Sequence, residues 1–289
     1  MSPKQREQRY QLPQGLRYAS LSERRSFYTK EFKLKRFVSW LSQFRDPNNV
    51  IYSLIIGRHT GIYPARFEKI RNDMIIISDY DELEELRDYL LRYLPESIYY
   101  DRNLFEDRRA VVSCSSYPRC WRHRHWLGQE LAFDIDPENI DCPIHGDIAQ
   151  KMARHQALSF CELEFELARS WTLKLHELLE KNFSELRIVY SGRGFHIHLF
   201  DRAALGLTRR ERRSLARAVA AKGFPIDEWV VAGRSRLIRL PYSLHGMVSR
   251  IVLPLKLREL ENFDLVKNKQ AIPLFAQRSA RLAPGFSVR

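Results

Sequence analysis

The segment LAFDIDPEN, residues 131–139, sets two aspartates into an alternating apolar run that stops at a proline. Side chains of an extended chain alternate between the faces of a sheet. Asp134 and Asp136 therefore project together, while Ile135 points the other way. Two carboxylates so close repel unless a cation lies between them, and hard oxygen donors select Mg²⁺ or Mn²⁺ over thiophilic metals. Two such ions can activate an attacking 3′-hydroxyl and steady a departing pyrophosphate. A D-x-D pair also occurs at strand ends where both acids are merely solvated, so its meaning depends on its company.

That company begins at YSGRGFHIHLFD, residues 190–201. Ser191, Gly192 and Gly194 predict a tight turn whose amides and hydroxyl can hold phosphate oxygens. Arg193 adds a charge-assisted phosphate donor. His196 and His198 share one face of the following strand, and the histidine nearer the turn suits a triphosphate contact or proton donor. A third segment, FPIDEWVVAGRSRLIRLPYSLHG at 224–246, offers another carboxylate in Asp227, two arginines in Arg236 and Arg239, and His245 beyond a Pro-Tyr turn.

Strands are expected at 50–56, 73–77, 130–135, around 186–200, near 236–240 and at 249–254, from their β-branched and aromatic runs. Helices are expected over 22–44, after Ser78 and Asp79, within 148–181, and from Thr208, where Glu211 completes a capping-box pattern. Without regular βαβ alternation this mixture predicts an α+β domain. The Arg-, His- and Cys-dense stretch 101–129 reads as a long loop or flap.

Lys and Arg number 48 against 35 acidic residues, a formal charge of +13 that favours polyanionic partners. The helix TRRERRSLARAVAA carries Arg209, Arg210, Arg212, Arg213 and Arg217, which fit either a nucleic-acid backbone or a solvated face. No apolar run is long enough to span a bilayer, so no membrane association is expected. The charged start MSPKQREQRY is not a secretory signal, and a cytoplasmic protein is expected. The four cysteines, 114, 120, 142 and 161, then read as thiols or metal ligands rather than disulfides.

In order, hhhDhD, S-G-R-G-h-H, and an aspartate followed by RLIRLPYSLHG resemble the three motifs of the archaeo-eukaryotic primase superfamily, closest to the archaeal DNA primase small (catalytic) subunit. ERRSFYTKEF, IIGRHTGIYP and YLPESIYYDRN extend the resemblance over about residues 20–257. It implies a primase-type catalytic domain over 21–260, with a mixed or antiparallel central sheet flanked by helices, between an N-terminal segment 1–20 and a C-terminal segment 261–289. It implies that Asp134, Asp136 and Asp227 bind Mg²⁺ or Mn²⁺, and that Ser191, Arg193, His196, Arg239 and His245 hold the incoming triphosphate.

The implied activity is template-dependent synthesis of short primers from NTPs or dNTPs on single-stranded DNA. A primase large subunit and other replication proteins are the implied partners. A gap-filling or end-joining polymerase, or a weakened nucleic-acid-binding paralogue, are the alternatives.

The family also implies a small zinc knuckle, here at about 138–165. Cys142, His145 and Cys161 occupy that region, but Glu164 stands where a cysteine would complete it. Glu164 is then the fourth ligand, or Cys114 or Cys120 is, or no Zn²⁺ binds. Two further departures are a short connection between His196 and Asp227, and Met247 where many primases carry lysine.

Overall fold

The computed structural model describes residues 10–68, 74–113, 124–234 and 236–277. Its first half contains α1 (Leu21–Lys30), α2 (Leu34–Leu41), β1 (Tyr52–Ile55), β2 (Met74–Ile77), α3 (Glu85–Tyr93), β3 (Ser97–Asp101), β4 (Asn103–Phe105), α4 (Arg108–Val112), β5 (Trp126–Gln129) and β6 (Leu131–Ile135). There follow α5 (Ile148–Ala153), α6 (Glu162–Leu179), β7 (Leu186–Tyr190), β8 (Phe195–Leu199), α7 (Arg202–Leu205), α8 (Arg209–Ala220) and α9 (Glu228–Val231). The last elements are β9 (Leu237–Arg239), β10 (Leu244–His245), β11 (Arg250–Ile251), β12 (Leu253–Leu255) and α10 (Leu257–Glu261).

Two four-stranded antiparallel sheets, β2-β1-β3-β9 and β12-β7-β8-β6, organise these elements into the expected α+β fold. Alternation in the second sheet divides its side chains cleanly. Phe133, Ile135, Ile188, Phe195 and Ile197 join Phe165, Leu175 and Leu179 of α6 in one apolar core. Ala132, Val189 and Phe200 lie in a second core with Tyr52, Leu54, Ile98, Tyr100 and Ile238 of the first sheet. Each fully buried large side chain contributes about 1.5–3 kcal/mol. The site strands β6 and β8 thus sit on a rigid, doubly packed platform.

The expected helix over 22–44 is two helices. Arg24, Phe27 and Tyr28 are buried on α1, and Phe37, Trp40 and Leu41 on α2. On one straight helix the second triplet would lie roughly 220° around from the first, at about 100° per residue. The break at 31–33 turns both inward. Ser78 and Asp79 do not cap α3, which starts at Glu85; Glu85 itself accepts the Asp81 and Glu82 amides at 2.7 and 2.9 Å. The long helical stretch divides into α5 and α6.

The stretch 101–129 is more ordered than a loop, since β4 pairs with β5 and α4 lies between them; residues 114–123 fall outside the described set. Thr208 forms the expected capping box with Glu211. Residues before α1 also join the body: Leu16 is buried in the first core, and the Ala19 amide donates to the Gly246 carbonyl at 2.7 Å. Among the described residues no helix is long and apolar enough to cross a membrane.

Candidate active site

β6 places Asp134 opposite His196 of β8. Asp136 follows one period later, where Pro137 turns the chain into a short 3-10 helix. Asp227 arrives from far along the sequence, its backbone N–H donating to the Asp134 carbonyl at 3.0 Å. Its carboxylate caps α9 by accepting from the Trp229 amide at 2.8 Å. All three predicted carboxylates therefore gather at one end of β6.

Their electrostatics are adverse in isolation. Burial, then repulsion from Asp136, Asp227 and Glu138, lifts the Asp134 carboxyl well above the usual carboxylate range. Burial raises Asp136 to about 6, against the pull of Arg193 and Arg239. One oxygen of each, Oδ1, is buried with no hydrogen-bond partner; His196 Nε2 lies 3.6 Å from that of Asp134, beyond hydrogen-bond reach. An unmet buried acceptor costs about 1–3 kcal/mol, more when charged. Such oxygens fit divalent cations coordinated by hard donors.

The Ser-Gly-Arg-Gly turn is folded tightly onto this cluster. Its amides are mostly spent internally: Ser191 donates to the Gly194 carbonyl at 2.9 Å, and Gly194 donates to the Ser191 hydroxyl oxygen at 3.0 Å. The glycines serve chiefly close approach. A β-carbon on Gly194 would lie 2.3 Å from the Ile135 carbonyl oxygen, and one on Gly192 would lie 2.6 Å from the His245 β-carbon. Gly192 also has φ +105°, a region side chains rarely adopt.

Around the turn stand the basic groups. Arg193 is buried and donates to Glu138 at 2.9 Å, while its Nε has no partner. Arg239 is held from the first sheet by Ser97 Oγ at 2.6 Å and the Tyr99 hydroxyl at 2.8 Å. Burial holds His196 and His245 well below the ordinary imidazole range, His198 and Arg239 adding to the effect on the first, Arg239 and Arg193 on the second. Both rings are neutral near pH 7, and the Nδ1 of each is buried without a partner.

Glu138, Ser97 and Tyr99 were not singled out by sequence. Glu138 lies two residues beyond Asp136, but its pairing with Arg193 spans 55 positions and leaves no local signal. Glu96 was also missed. Fully buried, it accepts from the His59 and Thr60 amides at 2.9 and 3.0 Å and so fixes the GRHTGI loop. His198 takes no part in the carboxylate cluster; its Nδ1 lies 2.5 Å from Glu130 Oε1, in a buried network with the Tyr100 hydroxyl. Arg236 turns away to Asp101 at 3.5 Å.

Met247 is 1% exposed in the first core, so the position of the family lysine points into packing here. Arg212, expected with its neighbours on a basic face, is instead buried and donates to the Leu207 and Ala204 carbonyls.

A second cluster lies close by in sequence. Ligand atoms of Cys142, His145, Cys161 and Glu164 all fall within 4.8 Å of one another. The sulfurs are 4.0 Å apart, Cys142 Sγ is 3.7 Å from His145 Nδ1, and that nitrogen is 3.0 Å from Glu164 Oε2. Tetrahedral zinc bonds of 2.0–2.3 Å imply ligand separations of about 3.3–3.8 Å. The Ile144 amide donates to Cys142 Sγ at 3.4 Å, as suits a thiolate. Glu164 also pairs with the buried Lys151. Cys114 and Cys120, the other ligand candidates, lie outside the described residues.

No family model matches the chain. It is 49% identical over 274 residues to an "Uncharacterized DNA primase small subunit-like protein" of Archaeoglobus fulgidus, covering 94% of this chain and 96% of that one. It is 27% identical over 242 residues to the DNA primase small subunit PriS of Pyrobaculum calidifontis, covering 68% and 71%. With PriS of Pyrococcus abyssi it shares 25% identity over 270 residues, covering 88% and 66%. Among solved structures, the polymerase domain of Mycobacterium tuberculosis Ligase D in complex with DNA matches with a TM-score of 0.48 and 16% identity, covering 95% and 96%. With near-half identity along almost its whole length, the chain belongs to the family of archaeal DNA primase small subunits and their small subunit-like relatives.

Proposed function

We propose that the chain is a template-dependent nucleotidyltransferase that makes short primers from NTPs or dNTPs on single-stranded DNA. The observation that carries this is the pair of unpartnered buried oxygens on Asp134 and Asp136, set among Arg193, Arg239, His196 and His245. In this reading Asp134, Asp136 and Asp227 hold Mg²⁺ or Mn²⁺. Bound there, the cations would supply charge neutralisation for an attacking 3′-hydroxyl and a leaving pyrophosphate.

The protein's own groups do the rest. Arg239, fixed by Ser97 and Tyr99, and Arg193, fixed by Glu138, present charge to a triphosphate without having to be ordered on binding. Neutral His196 and His245 each carry one ring N–H that can donate to a phosphate oxygen, and neither adds a charge that would hold pyrophosphate too tightly. Gly192 and Gly194 let these groups close on the carboxylates.

For the second cluster, we read Cys142, His145, Cys161 and Glu164 as a zinc site. Two thiolates, a carboxylate and Zn²⁺ leave one net negative charge, which the buried Lys151 ammonium offsets.

The test is incubation with single-stranded DNA, labelled NTPs or dNTPs, and Mg²⁺ or Mn²⁺. Short products that vanish in Asp134→Asn are expected; no products, or full activity in that variant, would refute the reading. Extension of annealed primers with no de novo products would instead favour a gap-filling polymerase.

A further inference from the structure

A hollow of about 430 Å³ is lined by Asp227 together with residues that the site described above does not use. Its walls come from α8, α9 and Asn139 of the turn after Asp136, and its lining includes Arg213, Arg217, Trp229 and Arg234. Arg213 and Arg217 stand one turn apart on the exposed side of α8, whereas their neighbour Arg212 is buried. Trp229 is 63% exposed although Val230 and Val231, next to it on α9, are buried. The Arg234 guanidinium lies over the indole, 5.1 Å from its centre.

An indole with a cation over one face offers the other to an aromatic ligand. Guanidinium groups around it suit phosphates rather than a neutral aromatic compound. Asp227 and Glu228 are the acidic groups of the lining, and both stand at the start of α9, where the carboxylate cluster begins. A base paired inside a duplex cannot present its face to Trp229, whereas a base of a single strand can.

We propose that this hollow binds single-stranded nucleic acid, with one base stacked on Trp229 and adjoining phosphates on Arg213, Arg217 and Arg234. The inference deepens the polymerase reading and rests on it, because Asp227 is at once a wall of the hollow and a member of the proposed metal site. A strand seated here is delivered to the carboxylates. Stacking and phosphate contact are both indifferent to base identity, so the binding is sequence-tolerant.

The test is fluorescence anisotropy of a fluorescein-labelled oligothymidylate with the full chain, in chelator and without nucleotide, so that catalysis plays no part. Trp229→Ala is expected to weaken binding roughly tenfold, and Trp229→Phe, which keeps a ring, by no more than about threefold. Arg213→Gln and Arg217→Gln should each lower the slope of log affinity against log salt by about 0.7. Unchanged melting of Trp229→Ala guards against misfolding.

Oligothymidylate binding by Trp229→Ala equal to wild type would overturn the inference. So would a loss confined to free ATP, which would make the hollow a nucleotide pocket. If wild type incorporates no nucleotide yet Trp229→Ala still releases the oligomer, the strand site stands and the polymerase reading fails. If incorporation proceeds and Trp229→Ala binds like wild type, the reverse holds.

Discussion

Gly194 lies against Asp136 so closely that a β-carbon there would sit 2.5 Å from the carboxylate Oδ1 and 2.9 Å from the Asp136 α-carbon. The turn that carries Arg193 and the strand end that carries the carboxylates are thus in backbone contact, with no room for a methyl group. The Asp136 α-carbon and the Ile135 carbonyl oxygen, which would lie 2.3 Å from that β-carbon, are backbone atoms that cannot yield cheaply.

Gly194→Ala should therefore push the turn from the carboxylates. Misplacement of positioning groups by about 1 Å can cost on the order of 100-fold in rate. Nucleotide incorporation is expected to fall by about that factor, while thermal melting drops by only a few degrees. Near wild-type incorporation would mean that the turn and the carboxylates are not coupled.

Asp134→Asn should separate stability from activity. A carboxyl whose folded pKa is raised contributes stability that is full below its unfolded value, near 3.9, and is lost as pH climbs through the folded value, about 6 for Asp136. Without metal, wild type should thus weaken between about pH 4 and pH 6 and beyond, and the asparagine variant should weaken less. Relief of about 1–2 kcal/mol corresponds to a melting temperature roughly 2–5 °C above wild type at pH 7.5, with no difference near pH 4. Saturating Mn²⁺ should reverse the order at pH 7.5, since binding at 100 times Kd contributes about 2.7 kcal/mol to wild type. Calorimetry across pH, with and without Mn²⁺, checks both signs; equal melting of the metal-free proteins at pH 7.5 would show that the carboxylates do not repel.

The zinc reading predicts one zinc per chain by elemental analysis, lost in Cys142→Ser. Lys151→Met should weaken retention about 10- to 100-fold against a competing chelator, the usual effect of removing a group that supports a ligand. A chain that carries no zinc after metal-replete purification, and melts identically with and without chelator, would leave the cluster as two thiols beside a Glu164–Lys151 ion pair.

What could be read in advance follows a physical divide. Asp134, Asp136 and His196 were legible because a strand's period of two is strict, and the Thr208 capping box because its reciprocal bonds span only three residues. Asp227 was found by motif, but what brings it home is a backbone bond to a residue 93 positions earlier, which has no local signature. Glu138, Glu96 and Tyr99 escaped for the same reason: each acts through a long-range partner. Local signals also lost where packing outweighed them. The break between α1 and α2 exists because Phe27 and Tyr28 on one helix and Phe37, Trp40 and Leu41 on the other must face one core, and Ser78 fails as a cap because the chain stays irregular until Glu85.

Met247 carries that last point into an experiment. Resemblance to the family invites Met247→Lys as a repair, restoring a cation next to the proposed triphosphate site. The structure opposes it: the side chain is 1% exposed in the same apolar core as Ile135 and Phe195. A lysine there would bury an unpaired ammonium, at a cost of roughly 3 kcal/mol or more even if its stem snorkels or the amine gives up its proton. The expected outcome is a melting temperature lower by about 6 °C or more and no gain in nucleotide affinity, measured side by side by calorimetry and titration. The charge is better sought from Arg193 and Arg239, already held by Glu138, Ser97 and Tyr99. Loss of nucleotide binding in Arg239→Gln, alongside the failure of Met247→Lys to improve it, would place the triphosphate's charge partners on those arginines; tighter binding by a stably folded Met247→Lys would return them to the family's position.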